Sequence, residues 1–288
     1  MLTSALTLSQ MTTRRVRNKF RRLASFYLAR RRVELRHGFP VISFSFDDFP
    51  KSSLHLGGKV FERLGVSGTY YVSFGLMDGV SEMVPQFTPL DSHKRMIAWA
   101  ISLRAWEEPM FDERDVHDLL DQGHEVGCHT FSHCDSWKVT GPDFEASLLD
   151  NRFALERLVP TTSFATIAYP FSSCGPRAKR IAAKYFSCCR GGQQGFNSGW
   201  TDLNNLRAMA LEKCHGNVTF VKDAINRNNS AAGWLIFRTH DTCEHPGRSG
   251  CTLEFLEEIV RYSVESGAKV LPVGQAWRTI REQLTKKS

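Results

Sequence analysis

The stretch Val41–Asp48, with the sequence VISFSFDD, determines how the rest of the chain is interpreted. Its apolar residues alternate with serines, the two-residue period of a β-strand, and Pro50, which lacks an amide donor, ends the pattern. The strand therefore finishes on two carboxylates, Asp47 and Asp48. Because neighbouring strand side chains point to opposite sides, the pair is predicted to divide two tasks, one accepting a proton and one binding a metal. A solvated turn or helix cap is the structural alternative.

Composition indicates a globular α/β protein rather than a disordered or fibrous one. The chain has 288 residues, of which 42% are hydrophobic and 23% charged. The net charge of +7 is local: ten of the 37 Lys and Arg lie from Arg14 to Arg36, where Glu34 is the one acid. The remainder holds 27 basic and 29 acidic residues, a net charge of −2. We therefore predict a basic arm over residues 1–36 and a nearly neutral domain over 37–288.

The basic arm contains apolar residues at helical spacing with arginines between them. This pattern predicts a basic amphipathic helix between Arg14 and Arg36. Three interpretations stay open: the helix packs on the body of the protein, lies on an anionic membrane surface, or binds nucleic acid. Nucleic acid is the least favoured, since the body shows no aromatic or glycine pattern for it. The residues that define the apolar face are Val16, Phe20, Leu23, Ala24 and Tyr27.

Localisation is predicted to be cytoplasmic, with the arm as a means of attachment to the inner face of the membrane. The opening residues lack the order of a secretory signal, and the longest uncharged run, 158–176, contains three prolines. The eight cysteines form no CxxC pair. Neither disulfides nor a cysteine zinc site is expected.

About seven strands alternate with helices along the body, which predicts a parallel α/β barrel or open sheet. In such folds the functional site lies at the C-terminal ends of the strands. The segment 75–110 is longer than an ordinary connection and is predicted to be an inserted lid. Its residues Trp99 and Trp106 either pack the insertion on the domain or meet a sugar ring.

Two histidines follow a short predicted strand in GHEVGCHTFSHC, residues 123–134. His129 and His133 have the i, i+4 spacing that directs two imidazoles to one side of a helical turn. With Asp48 they make the two-histidine, one-carboxylate set of hydrolytic metal sites. The alternative is a histidine pair in a surface loop. His240 ends a later strand, either facing the cleft or bonding to nearby backbone, and Asp241 follows as a binding or orienting residue.

Four motifs together resemble the polysaccharide deacetylase family, carbohydrate esterase family four. They are FDD ending at Asp48, GHEVGCHTFSH, AYPF at 168–171 and RTHD at 238–241, and the similarity spans residues 39–277. The resemblance implies a distorted (β/α)7 barrel. It also implies hydrolysis of the N-acetyl amide of amino sugars with one divalent metal ion, usually zinc.

Roles are carried over from the family position by position. Asp47 corresponds to the catalytic base, His240 to the general acid, and the backbone N–H of Phe171 to an oxyanion donor. The metal ligands correspond to Asp48, His129 and His133. Elementary chemistry agrees, because a metal polarises the carbonyl and lowers the pKa of its water, while the tetrahedral oxyanion needs a further donor.

One departure from the family concerns the base. The arginine that usually neutralises it is replaced by Ala168, and the Asp-Trp motif that braces this arginine is missing near 190–200. Our hypothesis is that Arg190 supplies the charge, with Arg207 as the second candidate. The predicted function is removal of an N-acetyl or other N-acyl group from a poly-, oligo- or lipid-linked saccharide. The alternative, motivated by Ala168, is a carbohydrate-binding homologue with metal and little turnover.

Overall fold

The computed structural model describes residues 8–78 and 109–286, with side chains from residue 16 onward. Most of the predicted lid over 75–110, including Trp99 and Trp106, lies outside the described residues. The described helices are α1 (Leu8–Tyr27), α2 (Lys59–Arg63), α3 (Glu113–Asp121), α4 (Gly141–Leu158), α5 (Pro176–Ala182), α6 (Val218–Ser230), α7 (Leu253–Glu265) and α8 (Val273–Thr285).

The described strands follow the predicted order, with a few short additions. They are β1 (Arg32–Leu35), β2 (Val41–Asp47), β3 (Thr69–Val72), β4 (Glu125–Cys128), β5 (Thr166–Ala168), β6 (Cys188–Arg190), β7 (Gly199–Asp202), β8 (Met209–Ala210), β9 (Trp234–Thr239), β10 (Thr242–Cys243), β11 (Cys251–Thr252) and β12 (Lys269–Val270). A π-helical turn, Ser53–Gly58, precedes α2.

Seven parallel strands form the central sheet, in the order β6-β5-β4-β3-β2-β9-β8, and β12 pairs with the start of β2. The sheet curls until β6 meets the segment before β8. There Leu206 N donates to Cys189 O at 2.8 Å, and Gly191 N donates to Leu206 O at 2.9 Å. Helices surround this curled sheet, so the predicted distorted (β/α)7 barrel is confirmed.

Strand β2 lies in the middle of the sheet and is buried along its whole length. On one side Phe44 stacks on Phe237, with ring centroids 5.1 Å apart. On the other side the serines are also buried, which requires partners. Ser43 Oγ accepts a hydrogen bond from Trp234 Nε1 at 3.0 Å, and Ser45 Oγ donates to Phe237 O at 2.9 Å. The alternation in VISFSFDD therefore separates the outer core from a hydrogen-bonded barrel interior.

The N-terminal arm differs from its prediction. The basic helix is present, but it ends at Tyr27, and Ala29 with φ 50° turns the chain. The prediction of helix as far as Arg36 was wrong, because β1 pairs antiparallel with β7 in the register Arg32 to Asp202. The reason is a second periodicity: Val33 and Leu35 alternate with charged residues, which suits a strand. The division into an arm and a barrel domain stays a prediction.

Two further expectations concern membranes and thiols. Among the described residues, no helix combines the length and the hydropathy that crossing a bilayer requires. All eight cysteines are free, and all but Cys243 are buried.

We predict that His124 makes the stability of the fold dependent on pH. Its Nδ1 accepts a hydrogen bond from Gly68 N at 3.1 Å, so the native fold needs the neutral ring. Burial lowers the pKa of His124 to about 4, from 6.5. In the unfolded chain His124 is protonated below about pH 6.5, whereas in the folded chain it stays neutral down to about pH 4. The free energy of unfolding therefore falls as the pH drops from 6.5 toward 4. Between pH 7 and pH 5 this amounts to about 2 kcal/mol.

We expect His124→Asn, whose Oδ1 accepts the same bond and does not titrate, to lose about 2 kcal/mol less than the wild type over this interval. Urea unfolding at pH 7 and pH 5 measures both values. Equal losses in the two proteins would show that His124 is not the group responsible.

Candidate active site

A cleft of about 460 Å³ opens at the C-terminal ends of the barrel strands. This is the end at which parallel barrels gather functional side chains. Six of the residues selected from the sequence line it, and they arrive from the ends of β2, β4, β5 and β9. They are Asp47, Asp48, His129, His133, Phe171 and His240.

Asp47 and Asp48 both face this cleft, so the prediction that they point to opposite sides was wrong. Strand geometry stops at Asp47, and Asp48 and Phe49 have positive φ values of 65° and 59°. This left-handed bend returns the Asp48 side chain to the side of Asp47. Phe49 is fully buried and stacks on Phe111 with centroids 4.9 Å apart, which anchors the bend.

The histidine pair was identified correctly, but its backbone was not. His129 directly follows β4, and its amide donates to Val72 O at 2.9 Å. Thr130 and His133 have φ values of 61° and 47°, so the segment is a loop and not the predicted helical turn. Cys134 N donates to Thr130 Oγ1 at 3.0 Å and closes the loop. The two imidazole rings end 5.0 Å apart.

Three ligand atoms converge in the cleft. Asp48 Oδ1 lies 3.2 Å from His133 Nε2 and 3.5 Å from His129 Nε2, and one ligand atom from each residue falls within 4.8 Å of the others. His129 Nδ1 is 2.7 Å from Ala168 O, so the Nδ1–H donates to this carbonyl and the Nε2 lone pair faces Asp48. Burial also lowers the pKa of His129 to about 4, which keeps the ring neutral as a ligand must be.

The surroundings of the Asp48 carboxylate show whether these three residues suit a metal ion. Its Oδ1 is buried and accepts no hydrogen bond from the described part of the chain. A buried carboxylate oxygen without a donor is costly, and a cation between the three residues would satisfy it. Two imidazoles and one carboxylate therefore fit a divalent metal ion, with positions left open for water or substrate.

Asp47 is paired with Arg190, as the sequence hypothesis required. Both side chains are buried, and Arg190 Nη2 donates to Asp47 Oδ1. Burial alone would raise the pKa of Asp47, but the Arg190 guanidinium, helped by His129, His240 and Arg238, holds the pKa of this carboxyl well below its usual range. Asp47 is therefore ionised.

The sheet register explains how Arg190 reaches Asp47. Arg190 on β6 is the pairing partner of Ala168 on β5, at the level where the family has its arginine. The charge thus comes from the neighbouring strand. The Arg190 guanidinium also stacks over the Tyr71 ring at 5.0 Å. Arg207, the second candidate, lies elsewhere, over the ring of Phe26 at 5.9 Å.

His240 and Asp241 occupy different positions. His240 Nδ1 lies 3.1 Å from Ser249 O, to which its N–H donates, and its Nε2 lies 3.8 Å from Asp48 Oδ2. Asp241 is fully buried behind the cleft, where its Oδ2 accepts from Gly247 N and its carbonyl oxygen accepts from Cys251 N. Asp241 thus bonds on either side of Ser249, the residue whose carbonyl accepts from His240, and its orienting role stays a prediction.

Phe171 lies at the rim of the cleft in a left-handed conformation, with φ 57°. Its ring packs edge-on against His133 with centroids 4.7 Å apart, which brings its peptide next to the ligands. The roles of Phe171 and of the other selected residues in catalysis stay predictions.

Sequence reasoning missed an ion pair in the cleft wall. Arg238 Nη2 lies 3.1 Å from Glu212 Oε1, both side chains are largely buried, and Lys213 lines the cleft beside them. The available signal was the position of Arg238 near the C-terminal end of β9, two residues before His240, since strand ends line the cleft. Glu212 follows β8 in a 3₁₀ turn, Leu211–Cys214, and had no comparable signal.

Comparisons with known proteins identify the family and the fold. A family model described as polysaccharide deacetylase matches residues 35–185, which is 151 of 288 residues. The chain belongs to the polysaccharide deacetylase family, whose members are hydrolases acting on N-acetyl amide bonds. A gellan lyase from Bacillus sp is 29% identical over 121 residues, which make up 42% of this chain and 5% of that protein. The chain thus spans a small fraction of this relative's length.

Solved structures share the fold at low sequence identity. The peptidoglycan deacetylase PdaC from Bacillus subtilis aligns with a TM-score of 0.53 and 13% identity, over 87% of this chain and 96% of that one. A family 4 carbohydrate esterase from Streptomyces lividans, in complex with acetate, aligns with a TM-score of 0.52 and 12% identity, over 80% of this chain and 91% of that one. A CE4 family pseudoenzyme from Bacillus anthracis aligns with a TM-score of 0.52 and 11% identity, over 84% of this chain and 66% of that one.

Removing the Arg190 charge tests the tuning of Asp47. We expect Arg190→Met to reduce hydrolysis of an N-acetylated oligosaccharide by about 100-fold or more, the size of a general-base contribution. Bound metal should be unchanged in this variant. Since breaking a buried ion pair destabilises by about 3–5 kcal/mol, circular dichroism must first confirm folding.

Arg190→Lys keeps a charge and should retain more activity than Arg190→Met. Arg152→Met, on the exposed face of α4, is the matched control and should behave as wild type. Wild-type rates in folded Arg190→Met would refute the hypothesis.

Proposed function

We propose that this protein is a metal-dependent hydrolase that removes an N-acetyl or other N-acyl group from an amino sugar in a poly-, oligo- or lipid-linked saccharide. One observation carries the proposal. Asp48, His129 and His133 converge on one point of the cleft, while Asp47 and His240 face the same space.

The residues of the cleft account for each proton in the reaction. Ionised Asp47 accepts the proton that the attacking water loses as its oxygen bonds to the amide carbon. The Phe171 N–H donates to the oxyanion that forms on the carbonyl oxygen. His240 acts here with a proton on both ring nitrogens: its Nδ1–H donates to Ser249 O, and its Nε2 gives its proton to the amide nitrogen as the C–N bond breaks. The products are an amino sugar and a carboxylate, acetate for an N-acetyl substrate.

Bound by Asp48, His129 and His133, a divalent ion such as zinc would polarise the substrate carbonyl and acidify water. The donor set supports one such ion, and zinc is the identity that the family suggests.

A carbohydrate-binding homologue with little turnover is the second candidate. The replacement at Ala168 favours it, and a CE4 family pseudoenzyme with the same fold has been solved from Bacillus anthracis. The Arg190–Asp47 pair supports turnover instead, since it supplies the charge that position 168 lacks.

Asp48→Ala tests the ligand set and the reaction together. We expect the variant to lose its bound metal, because one of three protein ligands is gone, and to release at least about 100-fold less acetate from chitooligosaccharides and capsule fragments. Elemental analysis and an acetate assay are the measurements. Asp118→Ala, on the exposed face of α3, is the control that should keep both properties.

Retention of metal in Asp48→Ala would contradict the ligand assignment. Wild-type protein that holds metal, releases no acetate from any substrate and keeps its glycan affinity in Asp47→Asn would favour the binding candidate.

The partner of helix α1 is proposed to be an anionic membrane surface at the cytoplasmic face. Four apolar side chains of α1 are exposed rather than packed on the body, at 64% for Val16, 65% for Phe20, 44% for Leu23 and 61% for Tyr27. They fall on one stripe of the helix, and exposed basic residues such as Arg17 and Lys19 flank it. Apolar insertion and attraction to anionic lipid therefore act together.

Phe20→Ser combined with Leu23→Ser should weaken binding to vesicles with 30% anionic lipid by about tenfold, since two inserted side chains are lost. Co-sedimentation measures this binding. Phe153→Ser, an exposed apolar residue on α4, should leave it unchanged. Equal vesicle binding by wild type and the double variant would reject a membrane role for the stripe.

A further inference from the structure

A second cavity, of about 350 Å³, lies where the end of α1 faces the segment 193–207. It lies apart from the catalytic residues described above. Its chemistry is that of arginines, aromatic rings and side-chain amides, with Phe26, Arg30, Trp200, Asn205 and Arg207 in its wall. These residues come from the N-terminal arm and from the barrel, so the cavity exists because the two are joined there.

The cavity is strongly positive. The guanidinium groups of Arg30 and Arg207 lie over the same ring, that of Phe26, at 5.5 Å and 5.9 Å from its centroid. Within residues 8–78 and 109–286, neither arginine has a carboxylate partner at ion-pair distance, and Arg30 Nε is buried without a hydrogen-bond acceptor. Asp202, the one carboxylate in the described wall, is bonded to Lys179 Nζ at 2.7 Å and to Arg31 N at 2.8 Å.

Two arginines held beside one ring favour an oxyanion. Guanidinium groups present paired donors that match a carboxylate or a phosphate, and they are the residues that proteins use for both. Trp200 adds an exposed aromatic surface at the cavity mouth, with 59% of its area accessible. An aromatic surface beside an anion site suits a sugar ring that carries the oxyanion.

The cavity and the catalytic cleft are related through shared lining residues. A third cavity, of about 320 Å³, shares Phe26, Gln193 and Asn205 with it. The same third cavity shares Ser172 with the catalytic cleft. The three spaces therefore follow one another along the surface, from Phe171 and Ser172 beside the metal ligands to Trp200. Arg21 and Arg22 line the connecting space and extend its positive charge.

We propose that the cavity around Phe26, Arg30, Trp200 and Arg207 binds an oxyanion-bearing part of the saccharide substrate. The ligand is a carboxylate or a phosphate on a sugar unit beyond the one whose N-acyl group lies in the catalytic cleft. This inference rests on the proposed function for the identity of the ligand as a saccharide. It gives the enzyme a preference for acidic over neutral saccharides.

Binding is tested first without turnover. The probes are a glucuronic acid trisaccharide for the carboxylate, glucose 1-phosphate for the phosphate, and triacetylchitotriose as the neutral sugar. Titration calorimetry compares wild type with Arg30→Gln/Arg207→Gln at one salt concentration. We expect the double variant to bind the preferred anionic probe at least tenfold more weakly and the neutral sugar with unchanged affinity. Arg261→Gln on α7, far from this cavity, is the matched control.

The two anionic probes identify the source of the oxyanion. Stronger binding of the trisaccharide assigns a uronate, and stronger binding of glucose 1-phosphate assigns a phosphate. On an N-acetylated substrate with that group, the double variant should raise KM about tenfold and leave kcat unchanged. Equal affinity of wild type and double variant for both anions would overturn the proposal. Loss of vesicle binding alone, with sugar binding intact, would also overturn it, because the arginines would then serve the membrane.

Failure of this inference can be separated from failure of the proposed function. Asp48→Ala should keep its affinity for the anionic probe, since the cavity contains none of the metal ligands. Anion binding with no acetate release from any substrate would leave the cavity assignment standing and reject the hydrolase. Acetate release without any difference between anionic and neutral probes would do the reverse.

Discussion

The buried ion pair between Arg190 and Asp47 is the interaction on which the site depends. Each charge would be costly to bury alone, and together they are stable only when their geometry is close and fixed. That geometry is supplied by the sheet, because the register of β6 on β5 sets Arg190 beside Ala168. Arg190 thus supplies, from the neighbouring strand, the charge that Ala168 does not.

The curled sheet gives this pair its surroundings. Strand β2 is buried on both sides, and Asp47 lies at its C-terminal end, where its side chain lines the cleft. The ends of β4, β5 and β9 surround that point, which is why residues far apart in the chain meet there. A low-dielectric wall strengthens the Arg190 charge at Asp47. Arg238 and Glu212 add a second buried pair to the same wall, and the positive member is among the charges that act on Asp47.

The sequence predicted the chemistry of the site better than its backbone. Ligand types and their order along the chain are local facts, so Asp48, His129 and His133 could be selected without a fold. The left-handed turns at Asp48, Thr130 and His133 could not, because no periodicity encodes a single positive φ value. The bend after Asp47 depends on the packing of Phe49 against Phe111. The two residues are about sixty positions apart in the sequence, so the contact is visible only in the folded chain.

Arg190 was found by a different argument. A carboxylate expected to act as an ionised base needs a positive neighbour, and the usual arginine was missing, so a replacement had to exist. The sequence offered Arg190 and Arg207, and the register decided between them. Arg238 was not selected as a site residue because it was treated as part of an apolar strand. Strand β1 was not predicted for a similar reason. Its four residues alternate in character, but the helical pattern before them was extended over them.

The position of α1 follows from one buried lysine. Lys179 on α5 is fully buried and donates from Nζ to Ser25 O, Leu28 O and Asp202 Oδ2, at 2.9, 2.8 and 2.7 Å. Three acceptors around one ammonium offset its desolvation and tie the end of α1 to the barrel. The helix therefore cannot turn its apolar stripe inward without breaking these bonds. The same constraint holds Phe26 against Arg207, so the face of α1 toward the barrel lines the arginine-rich cavity while its other face stays exposed. Helix α1 thus has two surfaces with different chemistry, and the bonds of Lys179 determine which surface faces the barrel and which faces away from it.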